Sequence, residues 1–210
     1  MLRWTGVTRF LLIRHGMTDA VGKAIVSWMP GVHLSETGRA QAQRLSELLS
    51  GVEIHALYSS PLERATETAQ VLGRKLGLEV QLRDAFGEVR FGDFSGHTLE
   101  ELEAMRAWKT YNSFRSGIRA PGGELVLEVQ ARFVSELEAL RARHPGQTVA
   151  IVSHADSIKA ALAHYMGVPL DLFDRIAVYP ASVSMVDIDD AGALIHRINW
   201  TESVRPSRRA

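Results

Sequence analysis

Two short apolar runs, Phe10 to Ile13 and Val149 to Val152, are each followed by a polar pair that ends in histidine: Arg14-His15 and Ser153-His154. A run of this length without polar alternation reads as a strand buried on both faces, which requires helices on both sides of a parallel sheet. The rest of the chain supplies them. Ala42, Leu45 and Leu49 recur at helical spacing over Ser35 to Leu49, and Gly51 marks the stop. A strand from His55 to Tyr58 leads to Ser59-Ser60-Pro61, read as the cap of a helix in which Leu62, Ala65, Ala69, Leu72 and Leu76 form one face up to Gly77. Glu79 to Leu82 reads as a strand. Val126, Val129, Phe133, Leu137 and Leu140 mark a long helix ended by His144-Pro145-Gly146, and Asp156 to Met166 a further one. Ser182 to Asp187 and Ala193 to Trp200 close the pattern as strands around an Asp189 to Gly192 turn. The alternation predicts an α/β fold, a three-layer α/β/α sandwich with a mostly parallel central sheet, whose ligand crevice lies beyond the strand carboxyl ends. The glycine-rich stretch at about 84–123, helical only from Thr98 to about Trp108, is expected to form a small irregular and helical cap over that edge. Residues 1–203 then make one domain, and 204–210 a flexible tail.

Charge and cysteine content narrow the chemistry. Lys plus Arg and Asp plus Glu both number 24, so no global field favours nucleic acid or an anionic membrane, and any anion must be held by a local arrangement. With no cysteine, disulfides, thiolate metal sites and cysteine nucleophiles are excluded. No apolar run near the N-terminus approaches the roughly 20 residues of a membrane helix, and no signal-peptide pattern precedes the first strand. A cytoplasmic protein is the expectation, with neither nucleic acid nor membrane as partner and with a homodimer left open.

Polar clusters fall at three strand ends: Arg14-His15-Gly16, Ser59 to Arg64, and Ser153-His154-Ala155. Two arginines and two histidines meeting there would form a cationic pocket suited to a phosphoryl group. Guanidinium forks match phosphate oxygens, a helix beginning near Asp156 adds oriented amides, and a neutral imidazole can attack phosphorus. Read one at a time, Arg14 could equally pair with a surface carboxylate and Arg64 with Glu67 one turn on. Other signatures fail. Gly16 to Lys23 has the wrong spacing for a P-loop and lacks Ser or Thr after the lysine, and there is no Gly-x-Ser-x-Gly, His-Glu-x-x-His or Gly-x-Gly-x-x-Gly. His33, His55, His97, His144, His164 and His196 lack metal-ligand spacing and read as surface or internally bonded histidines.

Five blocks, in order, resemble the histidine phosphatase superfamily, the phosphoglycerate-mutase-like proteins. They are Leu12 to Thr18 with its Arg-His-Gly, Ser59 to Ala69, Glu88 with Phe91 to Gly96, Pro121 to Glu124, and Val152 to Ala155. The resemblance implies a nucleophilic His15, a phosphoryl-binding set of Arg14, Arg64 and His154, and Glu88 as the acid that protonates the leaving oxygen. His154 is thereby counted with His15 and Glu88 among the catalytic residues. Glu124, Asp93 and Glu100 share the same region as further acid candidates, and Thr18 either donates to phosphate or caps its loop. The implied reaction is hydrolysis of a small phosphorylated metabolite through a phosphohistidine, with no cofactor and no metal. The interval from Glu88 to His154 is too short for the insertion of the mutases, which makes phosphatase the expectation over mutase-type transfer. A non-catalytic phospho-ligand module would have no use for both a nucleophile and an acid.

Two departures from the family pattern bear on the pocket. No asparagine follows the first signature at Asp19-Ala20-Val21, and Ala155-Asp156 puts a carboxylate where many members have glycine. That carboxylate could repel anions or select a cationic substrate group. Met17, Trp28, Met29, Phe91, Phe94, Trp108, Tyr111 and Phe114 either line the pocket, favouring apolar or aromatic monoesters, or pack the cap on the sheet.

Overall fold

The computed structural model describes residues 6–201; the tail expected at 204–210 lies outside them. Six strands form one mixed sheet: β1 (Thr8–Arg14), β2 (Ala56–Ser59), β3 (Val80–Leu82), β4 (Thr148–Ser153), β5 (Val183–Asp189) and β6 (Gly192–Trp200). Their spatial order is β3-β2-β4-β1-β5-β6, with β1 to β4 parallel and β5 and β6 added as an antiparallel hairpin at one side. The helices are α1 (Glu36–Leu49), α2 (Glu63–Leu76), α3 (Leu99–Ala104), α4 (Arg106–Ser113), α5 (Val126–Arg143) and α6 (Ala155–Met166).

Strand alternation divides the core into two layers. Phe10, Leu12, Tyr58, Val149 and Ile151 pack with Val126, Phe133 and Leu137 of α5 and Ile158 and Leu162 of α6. Leu11, Ile13, Leu57, Ala150 and Val152 face the other way, onto Leu45 and Leu49 of α1 and Ala65, Ala69 and Leu72 of α2. Both central strands are therefore apolar at every inner position, which is why they read as continuous runs.

The segment read as one helix from Thr98 to Trp108 is two. Met105 takes an extended conformation (φ −83°, ψ 124°) between α3 and α4, and α4 continues to Ser113. This break lets α4 turn Trp108 and Tyr111 onto Phe91 and Phe94, with ring centroids 5.2–6.3 Å apart. The cap aromatics are thus mainly packing. Met29 and Phe114 are exposed, and Phe91 alone of the eight aromatic and methionine candidates lines the pocket described below.

Candidate active site

The register of the sheet assembles the site. Ile13 pairs with Val152 and Arg14 with Ser153, so the residues that follow, His15 and His154, leave adjacent parallel strands side by side, their rings 5.1 Å apart. Ser59 pairs with Val152 on the other side of β4, which delivers Ser60 to the same edge. The turn after β1 is pinned against α1, where a Cβ at Gly38 would sit 2.0 Å from the Met17 carbonyl oxygen; only glycine permits the approach.

His15 is buried, and its Nδ1 lies 2.7 Å from the Gly16 carbonyl oxygen. A carbonyl only accepts, so Nδ1 carries the proton and Nε2 keeps its lone pair. Burial first, then the Arg64 and Arg14 charges, holds the His15 pKa well below the usual histidine value, so the ring is neutral near pH 7. His154 is depressed in the same way by burial, Arg64 and His15. Its Nε2 is 2.8 Å from Ser60 Oγ, which also accepts from Leu62 N at 3.3 Å. The serine proton has no other acceptor among the described residues, so it is directed to Nε2, which leaves Nδ1 of His154 as the protonated nitrogen.

Arg14 and Arg64 are each held by one carbonyl: Arg14 Nη1 donates to Val178 O at 2.7 Å and Arg64 Nη2 to Ser27 O at 2.9 Å. Among the described residues neither pairs with a carboxylate, and Glu67, the helical partner considered for Arg64, instead binds His33 and Leu34 N. Arg14 Nε, Arg64 Nη1, Thr18 Oγ1 and His154 Nδ1 are buried polar atoms without a hydrogen-bond partner among the described residues. Buried polar groups are normally paired, and these four atoms at one sheet edge could together be satisfied by an anion. They belong to the residues predicted to hold phosphate. Thr18 makes no side-chain capping bond.

Glu88 lines the same cavity, of about 200 Å³, with Arg14, His15, Thr18 and Arg64. Its Oε1 is occupied by Val89 N (2.9 Å) and faces Ser157 Oγ (3.2 Å), so the proton of an acidic Glu88 falls to Oε2. Burial and the nearby Asp156 charge raise its pKa against the opposing pull of Val89 N, Arg64 and Arg14. Of the other acid candidates, Glu124 is tied to Arg90 N and Arg132, while Asp93 and Glu100 are exposed and do not line the cavity.

Several contributors escape sequence reasoning. Ser60 is part of a motif that reads as a cap; the N-cap of α2 is in fact Leu62, without a side-chain bond, and Ser60 lies two residues before it, accepting from Leu62 N and facing His154 Nε2. Ser27, at φ +45°, offers its carbonyl to Arg64 while its hydroxyl donates to Val89 O and accepts from Phe91 N. Arg132 of α5 donates to the carbonyls of Ala85, Gly87 and Glu88. No local pattern marks either residue, since both act through the backbone of distant segments. Asp156 lines the cavity but is paired with Arg115 (3.2 Å) and Lys159 (3.3 Å), so it is not free to recruit a cationic substrate group. Among the described residues no three His, Asp or Glu side chains are grouped as metal ligands would be.

Comparison with known proteins agrees with this geometry. Residues 10–201 match the histidine phosphatase superfamily (branch 1). This chain belongs to that superfamily. It is 30% identical to phosphoserine phosphatase 1 of Hydrogenobacter thermophilus over 93% of each chain. It is 32% identical to glucosyl-3-phosphoglycerate phosphatase of Mycobacterium tuberculosis over 77% of each. The solved structure of Bacillus stearothermophilus YhfR superposes with a TM-score of 0.83 at 30% identity, covering 90% of this chain and 95% of that one. The mostly parallel sheet with a histidine at the end of each central strand is thus a histidine phosphatase framework.

Proposed function

We propose that this histidine phosphatase hydrolyses small phosphomonoesters through a phosphohistidine on His15. One observation carries the reading: the Nε2 lone pair of a neutral His15 is fixed in a cavity walled by Arg14, Arg64, Thr18 and Glu88. In the first displacement Nε2 bonds to phosphorus, the ester P–O bond breaks, and Glu88 Oε2 gives its proton to the departing alcohol. In the second, the Glu88 carboxylate takes a proton from water, whose oxygen bonds to phosphorus as the P–N bond breaks, releasing inorganic phosphate. Arg14, Arg64, Thr18 and His154 Nδ1 hold the phosphoryl oxygens, whose charge spreads as the bonds loosen.

The positive charge comes from arginine, so the scheme assigns no step to a metal or cofactor. We place the reaction in the cytoplasm on a dissolved substrate, without nucleic acid or membrane as partner. The support is the even balance of 24 basic and 24 acidic residues and, among the described residues, the lack of any helix long and apolar enough to cross a membrane. A homodimer with one complete site per copy fits this reading, because every residue named comes from a single chain.

Phosphatase assays of the chelator-treated parent and His15→Ala, with a search for a labelled adduct, test the proposal. The parent should stay active and trap an acid-labile, alkali-stable phosphoryl label that His15→Ala lacks. Activity surviving in His15→Ala would contradict it.

A further inference from the structure

We propose, building on the hydrolase reading above, that the preferred substrates are monoesters of small, uncharged, apolar alcohols, and that the cavity discriminates against anionic leaving groups. Beyond the phosphoryl-binding residues, the cavity wall includes the apolar side chains of Val21, Ala24, Ile25, Val26, Phe91 and Leu99. Two segments supply most of it, and they are joined through backbone bonds. Ala24 bridges Thr98, Ile25 N donates to His97 O at 3.0 Å, Gly96 N to Ile25 O at 2.7 Å, and Leu99 N to Lys23 O at 2.8 Å. The apolar wall is therefore preformed.

The charges of the cavity argue in the same direction. Its lysine and arginine residues are Arg14 and Arg64, both committed to the phosphoryl group. Its carboxyl groups are Glu88 and Asp156. Arg115 and Lys159, the cations beside Asp156, are shared between Asp156 and Asp174 and do not line the cavity, so this cluster of two cations and two carboxylates has no charge to spare. A leaving group carrying a carboxylate would meet aliphatic side chains, the uncharged acid Glu88 and the already paired Asp156 where it needs a cation. Rejection of this kind, by unpaired charge, gives larger discrimination than a missing methylene can. The volume of about 200 Å³ lies below the range of roughly 300–1,000 Å³ typical of pockets for drug-sized ligands, which limits the alcohol to a small group.

The test compares kcat/KM for butyl phosphate, glycerol 3-phosphate and 3-phosphoglycerate, three aliphatic esters that make similar demands on the acid. p-Nitrophenyl phosphate gauges the hydrolase chemistry itself. Butyl phosphate should exceed 3-phosphoglycerate by about tenfold or more, equivalent to about 1.4 kcal/mol, with glycerol 3-phosphate between them. Val21→Arg, on a partly exposed turn, should narrow that ratio about tenfold by supplying the missing cation, and Ala24→Lys read in parallel guards against one variant failing to fold. A parent that turns over 3-phosphoglycerate as well as butyl phosphate overturns the proposal whatever the variants do. If p-nitrophenyl phosphate is cleaved without preference among the aliphatic esters, the specificity fails while the hydrolase reading stands. Failure to cleave any ester overturns both.

Discussion

Glu88 and Asp156 line one cavity, yet their surroundings drive their titrations apart. Burial and the charge of Asp156 raise Glu88, whereas for Asp156 the adverse effect of burial is outweighed by Lys159 and Arg115, and its pKa falls. Glu88 must start protonated, so kcat/KM should decline as pH rises through its raised pKa. His15 must be neutral, and with its pKa well below 6.5 the limiting protonation lies on the acid side. A bell-shaped profile follows, bounded on its acid side by His15 and on its alkaline side by Glu88. Asp156→Asn removes a negative neighbour and leaves Arg115 and Lys159 less compensated; both effects lower the Glu88 pKa, so the alkaline limb should move to lower pH. A limb that stays put or moves upward in the pH–rate profile would refute this coupling. Glu88→Gln should lower kcat on alkyl phosphates by about 10²–10⁴ and much less on p-nitrophenyl phosphate, whose departing oxygen scarcely needs a proton; equal losses would remove Glu88 from the acid role. At this scale the sequence was legible for the side chains that the structure gathers at the candidate site. Arg14, His15, Arg64, Glu88 and His154 stand in ordered blocks that name residue types. Ser27 was not, because its contribution is a carbonyl presented at φ +45° and a hydroxyl spanning to Val89 and Phe91, and neither has a sequence signature.

The proposed acid, Glu88, is carried by a segment with little regular structure, and its rigidity is borrowed from neighbouring elements. Arg132 of α5 reaches the carbonyls of Ala85, Gly87 and Glu88, Trp28 Nε1 donates to Glu88 O at 2.6 Å, and Glu124 closes the far side by accepting from Arg90 N. Gly123 allows this closure, since a Cβ there would lie 2.0 Å from Arg90 O. A planar guanidinium serves several carbonyls at once in a way that an ammonium cannot. Arg132→Ala should therefore leave α5 folded but let Glu88 drift, lowering kcat on alkyl phosphates by about tenfold or more with KM little changed, as expected for misplaced catalytic groups. Arg132→Lys should fail to restore it, and steady-state kinetics with circular dichroism would check both. Rescue by lysine, or a loss confined to KM, would assign Arg132 a different role. Element boundaries were legible where one face is uniformly apolar, as in α2 and in β1 and β4. They were not where tertiary contacts override local pattern: Met105 divides a helix so that Trp108 and Tyr111 can reach the aromatic cluster, and α2 begins after Leu62, which leaves Ser60 outside it and facing His154.

At the scale of the whole molecule, the even charge balance conceals a concentration of unpaired positive charge at one sheet edge. Arg64 is 2% exposed and, among the described residues, bonds one carbonyl and leaves Nη1 without a partner. A buried charge so poorly compensated opposes folding, and functional sites commonly carry such costs. An anion that satisfies these donors should stabilise the fold in proportion to its affinity. At a hundredfold excess over Kd the gain is about 2.7 kcal/mol, which for a chain of this size raises Tm by about 5–10 °C. Vanadate is the suitable probe, because it offers the oxygens of a phosphoryl group to Arg14, Arg64, Thr18 and His154 without an ester to cleave. Arg64→Met removes the charge while keeping much of the apolar stem, at the cost of leaving Ser27 O unpaired. The variant should melt at or above the parent temperature without ligand and should lose most of the vanadate-induced rise. Thermal melts of both proteins over a vanadate series decide the matter: a variant that melts well below the parent yet keeps the full rise would show that Arg64 supports the fold and takes no part in holding the anion.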